Sequence, residues 1–297
     1  MRTLLWRQHR GQLLWTALVL GAFLIAMVGV AHSADQWLAH YHDWRSQLQA
    51  HHCAQPTAKS GRITVPNSSV CHLLRTRYPD GPQPAFANRY NFAIPVFEEG
   101  LPLLAVLIGA LIGATVVGRE IEQRTQLVAW TQSVSRRRWY VTKITVLGTG
   151  LAIAGLIAGF ANDRLQVPLT QGGLTSSRWP WFFSIDLTPA AEALLAFALA
   201  VAIGAWLRRT VAAVGAALVT FLLLFVGSAW VVRNLTPLSH PTGPRPSIPL
   251  NGWNIGGSAY HPASQYWMLQ TLDVAVVLLL VAAVSLAGWR ATRSRAI

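Results

Sequence analysis

Cys53 and Cys71 are the only cysteines in the chain, and histidines stand beside both, in His51-His52-Cys53 and Cys71-His72. Residues of these types can close a disulfide in an oxidising compartment, remain free thiols, or offer ligands to a metal ion. Spacing alone leaves the three uses open, and a disulfide here would be a structural staple; no metal site is assigned. His240, His261 and Asp273, in or near the last long loop, are the thin candidates for a membrane-embedded enzyme. Other catalytic arrangements are missing: the sequence has no G-x-x-x-x-G-K-[ST], H-E-x-x-H, G-x-S-x-G or C-x-x-C. The chain therefore has no phosphate loop of its own, and neither catalysis nor a bound cofactor is expected of it.

The densest polar chemistry lies in Gly118–Lys143, GREIEQRTQLVAWTQSVSRRRWYVTK, between two long apolar runs. Glu120 and Glu122 stand early in it, where the positive end of a helix dipole favours carboxylates. Ile121, Leu127, Val128 and Ala129 give the stretch Arg119–Trp130 a partly apolar face suited to contact with protein. Ser133 and Ser135 then interrupt the helix ahead of Arg136, Arg137, Arg138 and Trp139. That basic cluster suits anionic headgroups, with Trp139 and Tyr140 as anchors at the membrane interface. Glu98, Glu99, Glu192 and Asp273 stand at the edges of apolar runs, where solvent or interfacial arginines would satisfy them. The first, third and fifth runs hold no ionisable residue, which disfavours a proton-coupled carrier or an ion channel.

The elements that must carry these residues are membrane helices. Of the 297 residues, 53% are hydrophobic and 12% charged, about half the charge of an ordinary soluble domain. The net charge of +13 is almost wholly arginine, and in so apolar a chain it reads as basic loops rather than a nucleic-acid surface. Six runs are long enough to cross an apolar core of about 30 Å: Leu13–Ala31, Leu101–Val117, Ile144–Ala161, Pro189–Leu207, Val211–Val232 and Leu272–Trp289. Lipid cannot satisfy bare backbone groups and none of the runs alternates like a strand. An all-α integral membrane fold in a single transmembrane domain is predicted.

Fourteen of the 24 lysines and arginines crowd into the short segments on the N-terminal side of this topology, which predicts both termini in the cytoplasm. The first apolar run is too long for the core of a cleaved signal peptide and is read as a retained anchor. Leu4, Leu5 and Trp6, among arginines, look like a short interfacial helix leading into it. Residues 32–91 form an outer cap loop with one helix at Asp35–Ala50. The outer segments 162–188 and 233–270 follow, the second proline-rich and irregular with a short helix near Gln265–Gln270. Arg208-Arg209-Thr210 joins the fourth and fifth spans as a tight hairpin.

At Gly109, Gly113, Gly118, Arg119-Glu120, Glu122-Gln123-Arg124-Thr125, Trp130-Thr131-Gln132-Ser133-Val134, Arg136, Arg138-Trp139 and Lys143, the chain resembles the membrane subunits of ABC-2 type transporters. More narrowly, it looks like the permeases of actinobacterial export systems. His261-Pro262-Ala263-Ser264-Gln265-Tyr266-Trp267 with Gln270 is similar to the family's Pro-Ala-Ser-x-aromatic-Trp pattern before the last span. The family commonly has glycine where Arg124 stands, so local shape is not carried over at that residue.

The resemblance implies a type V exporter-like fold, with an interfacial N-terminal helix, six spans and a cytoplasmic coupling helix at about Arg119–Thr131. It implies that Arg119, Glu120, Glu122, Arg124, Thr125 and Trp130 dock on a separate ATP-binding subunit, which carries the ATP and Mg. Two permease subunits, identical or not, would pack side by side in a bacterial cytoplasmic membrane and pass substrate between them, chiefly along the second and fifth spans. Gly109, Ala110, Gly113 and Ala114 suit close helix packing, either between chains or within one. The function expected is that of a non-catalytic permease in ATP-driven export of a hydrophobic or amphipathic substrate. The alternative is a membrane scaffold or sensor that works with the same kind of ATPase without moving a solute.

Overall fold

The structure, a computed structural model, describes residues 2–51, Cys53, 55–56, 63–64, 69–76, 82–123, 135–175, Trp179, 181–240, 253–256 and 259–294. Among these residues six helices are long and apolar enough to cross a membrane, as backbone that must satisfy its own hydrogen bonds in lipid requires. Helix α1 runs over Arg2–Ala50, followed by short helices α2 (Ser69–Thr76) and α3 (Pro82–Tyr90). Helix α4 (Gly100–Gly113) is flanked by two π-helical turns, Ile94–Glu99 before it and Ala114–Gly118 after it, and leads into α5 (Arg119–Glu122). Then come α6 (Arg136–Gln171), α7 (Thr188–Leu207), α8 (Thr210–Leu235) and α9 (Tyr266–Ser294). Two small antiparallel hairpins, β1 (Gln55–Pro56) with β2 (Ile63–Thr64) and β3 (Trp253–Gly256) with β4 (Ala259–His261), decorate the loops.

The bundle is built around α7, which packs against α4, α6, α8 and α9 and is the most deeply buried of the membrane helices. Its sequence, TPAAEALLAFALAVAIGAWL, is dominated by alanine, so neighbouring backbones can come close on every side. The closest approach is to α4. A Cβ at Gly109 would collide with the carbonyl oxygen of Ala193, and one at Gly113 with the carbonyl oxygen of Phe197. Ala110 and Ala114 are fully buried beside them. The small residues of the second span therefore serve packing within the chain. Helix α1 lies at the side against α6 and leaves Trp15, Leu18, Ile25 and Val28 exposed on its outer surface.

Every span exceeds the apolar run that announces it. The segment read as an interfacial N-terminal helix, the first span and the helix expected at Asp35–Ala50 are one uninterrupted helix. Helix α6 continues past Ala161 to Gln171 and buries Asn162, Leu165, Gln166 and Leu169, so the loop expected from residue 162 begins only after Gln171. In the proline-rich segment, the part described after residue 252 is a hairpin and a 3-10 turn at Ala263–Gln265, and the helix expected near Gln265–Gln270 is the beginning of α9.

Beyond α1 the cap is held by specific contacts. Cys53 and Cys71 are bonded, with Cα atoms 5.5 Å apart, and pack with Trp44 and Leu48 at the end of α1. Lower down, the rings of Trp37 and Phe86 of α3 meet at a tilt with centroids 5.0 Å apart, and Ser33 Oγ lies 2.8 Å from Tyr90 Oη.

Candidate functional site

The end of the bundle that carries Arg119, Arg136–Arg138, Arg208, Arg209, Arg290 and Arg293 is called here the basic end. At this end α4 emerges through the π-helical turn Ala114–Gly118 into α5. A π turn leaves backbone carbonyls out of the ordinary ladder, and Val116 O accepts a hydrogen bond from Lys143 Nζ at 3.3 Å. The same ammonium forms an ion pair with Glu120 and sits 4.6 Å from the ring centre of Trp139, one turn earlier on α6. Glu120 is 5% exposed and Lys143 2%. An ammonium held by a carboxylate, a carbonyl and an aromatic face is well compensated for its burial. The pair joins the end of the second span to the start of the third.

Glu122 faces the other way. Its Oε2 accepts from Thr210 N at 3.0 Å and from Thr210 Oγ1 at 2.7 Å. Thr210 is the first residue of α8, so the carboxylate caps a helix N-terminus, where unsatisfied N–H groups and the dipole both favour negative charge. The turn before it is tight: Arg208 adopts a left-handed conformation (φ 57°) and Arg209 is extended. Helix α5 is thus covalently continuous with the second span, ion-paired to the third and hydrogen-bonded to the fifth.

These positions revise three expectations. Glu120 is not on a surface that a partner could touch, because its carboxylate is consumed inside the chain. Trp139 is buried under Lys143 rather than anchored in headgroups. Tyr140 is buried too, donating to Ser285 O at 3.0 Å beside Trp289. Arg119 and Glu122 are exposed, as are Arg136, Arg137 and Arg138 in the first turn of α6. Ser135 caps that turn, its Oγ accepting from Arg138 N at 3.3 Å. Three guanidinium groups at the positive end of a helix dipole oppose it, which suits a site that attracts anionic groups from outside the chain. Arg124, Thr125 and Trp130 lie outside the described residues.

At the opposite end the candidate catalytic residues separate. The His261 ring lies 3.3 Å from Arg233 O, 3.3 Å from Thr236 Oγ1 and 3.0 Å from Gln265 Oε1, fastening the end of α8 to the approach to α9. The charge of Asp273 acts instead on Glu192. Both carboxylates, expected at a solvated edge, are buried, at 3% and 2% exposure. Their spacing held the missed signal: Thr188 and Glu192 on one apolar helix, and Gln270 and Asp273 on another, each form a polar stripe one turn long.

Six membrane-crossing helices arranged around a small-residue core, with a polar segment clasped between three of them at one end, define a multi-pass membrane protein. Residues 59–233, more than half of the chain, match the family described as ABC-2 membrane transporter related. The chain belongs to that family and is a membrane permease component of an ABC transporter. No curated protein and no solved structure matches it.

Proposed function

We propose that the chain is the membrane-spanning permease of an ATP-driven exporter, and that the segment beginning at α5 is where a separate ATP-binding subunit acts. That subunit would carry the ATP and Mg. One observation carries the reading: Glu122 and Glu120 clasp α5 to the starts of α8 and α6, so a push on the segment that follows is delivered to three spans together. Arg119 and Glu122, exposed at the clasp, and Arg124, Thr125 and Trp130 beyond it are the residues proposed to meet the ATPase. Two permease chains would face one another through the exposed surfaces of α4 (Leu103, Leu107, Leu111) and α8 (Leu222, Leu223, Val226), which touch each other within the chain. An apolar path between such surfaces suits a hydrophobic or amphipathic substrate.

The test is purification of the tagged full chain in mild detergent from its own host. A soluble ATPase with a phosphate loop is expected to co-elute in stoichiometric amount, and its activity should rise when the permease is bound. Glu122→Ala removes the cap from the start of α8, leaves the ATPase bound, and lowers that stimulation several-fold. A folded chain that elutes without any ATPase refutes the reading. Undiminished stimulation by the variant refutes the role of the clasp.

We further propose that the basic end lies in the cytoplasm of a bacterial cell, with both termini there. Arginine crowding in the short loops supports this. A cysteine introduced at Arg137 should react with an impermeant maleimide only after the membrane is opened; Cys53 and Cys71, being bonded, do not compete for the reagent. Labelling of intact cells at that position would invert the topology.

A further inference from the structure

Glu192 of α7 and Asp273 of α9 are both buried inside the bundle, close enough for the charge of one to act on the other, in a chain whose formal charge is +13. Neither carboxylate oxygen of Glu192 has a hydrogen-bond partner among the described residues. One turn nearer the cap, Gln270 donates from Nε2 to Ile185 O at 3.2 Å, to Thr188 Oγ1 at 3.3 Å and to Tyr266 Oη at 3.2 Å. Its Oε1, equally buried, has no donor. Gln270 is one turn from Asp273 on α9, and its partner Thr188 is one turn from Glu192 on α7, so the orphaned oxygens gather at one level of the α7–α9 contact.

The unfilled valences of Glu192 and Gln270 are all acceptors. The charged groups on the surrounding elements are Glu98 and Glu99 before α4, Asp163 and Arg164 on α6, Asp186 before α7, Arg233 on α8 and His261 before α9. Among the described residues Glu192 has Asp273 as its one charged neighbour, and no cationic side chain acts on either carboxylate. Two buried negative charges without a counter-charge are strongly disfavoured by desolvation and by each other. The arrangement is therefore complete only with something positive and oxygen-seeking between the helices. Calcium takes about six to eight oxygens, more than Glu192 and Gln270 leave open even with Asp273 added.

We propose that Glu192, Asp273 and Gln270 Oε1 form a site for one small monovalent cation, a proton or a sodium ion, that holds α7 to α9. With the ion in place the contact is stable; without it the two carboxylates repel. The site stands on packing alone and does not depend on the transport reading.

The test uses the full chain, purified in detergent, and its thermal melting midpoint. A bound ion stabilises the folded state in proportion to the logarithm of its concentration once the site is filling. The midpoint in choline chloride is expected to fall as protons are withdrawn, and Glu192→Gln with Asp273→Asn is expected to remove that dependence. If sodium chloride at matched ionic strength restores the midpoint at high pH, the ion is sodium; if it does not, the ion is the proton. Wild type and variant with the same pH and sodium dependence overturn the proposal. Should the variant not fold, infrared absorption of the wild-type chain decides. A protonated-carboxyl band, or carboxylate bands that shift on adding sodium, supports the site, and absence of both overturns it.

Discussion

Replacing Lys143 with methionine will lower the melting temperature of the purified chain more than any substitution of the exposed arginines, because it strands Glu120 as a buried charge. Breaking a buried pair from one side costs about 3–5 kcal/mol, whereas replacing both partners by apolar residues of similar size is often neutral. The double variant Lys143→Met with Glu120→Leu should therefore recover most of the loss. Thermal challenge followed by size-exclusion chromatography in detergent measures both. If the single variant melts like the wild type, or the double variant is no better than the single, the pair does not hold the basic end together. The same physics decides how coupling should be probed. Reversing the charge of Glu120 would place two cations in one buried site and damage the bundle, so loss of ATPase in that variant would say nothing about docking. Glu122, exposed and capping the start of α8, is the informative position.

The second large effect lies in the contact of α4 with α7. Gly109→Ala and Gly113→Ala each drive a methyl group into a helix carbonyl, and at Gly113 the Ala200 Cβ is also only 2.9 Å away. Such oxygens belong to a rigid ladder and cannot yield as a side-chain tip can. Overpacking of this kind costs about 1–3 kcal/mol per site, occasionally more, and the two substitutions together should prevent recovery of a monodisperse chain. Gly150→Ala and Gly215→Ala are the controls: nothing lies within 4 Å of a Cβ at either position, and a glycine in a helix interior concedes roughly 1 kcal/mol to alanine. These controls should melt at or above wild type. Equal behaviour of Gly109→Ala and Gly150→Ala would mean that the two helices do not pack as closely as described.

The number of spans was legible because lipid demands about 20 apolar residues and the chain spells out each run. Their lengths were not. Hydropathy responds to the membrane, but a helix ends where its hydrogen bonds end, and α1 and α6 carry polar residues well past the apolar stretch. The polar block between the second and third spans is visible in the sequence as an element outside the apolar runs, yet the contacts within it are not. Glu122 finds Thr210 across 88 positions of sequence, and Glu120 finds Lys143 across 23. A third span read from Ile144 puts Lys143 in a loop, whereas α6 begins at Arg136 and turns Lys143 inward. The burial of Glu192 and Asp273 is hidden for another reason: distance from the end of an apolar run does not report how completely neighbouring helices cover it, and α7 is packed by α4, α6, α8 and α9.

Helix α1 has 49 residues, or roughly 74 Å of rigid rod, of which less than half is needed to cross the membrane. From Ala31 to Ala50 it stands roughly 28 Å clear of the first apolar run, and its far tip is clamped by the Cys53–Cys71 bond. A rod with its fulcrum in the bilayer is a lever. A change of about 10° in the tilt of the first span sweeps the tip sideways by about 5 Å. Because α1 lies along α6, and α6 is wired to α5 through Lys143, a small rotation begun at the basic end would be enlarged into a movement of the cap at the opposite end of the bundle.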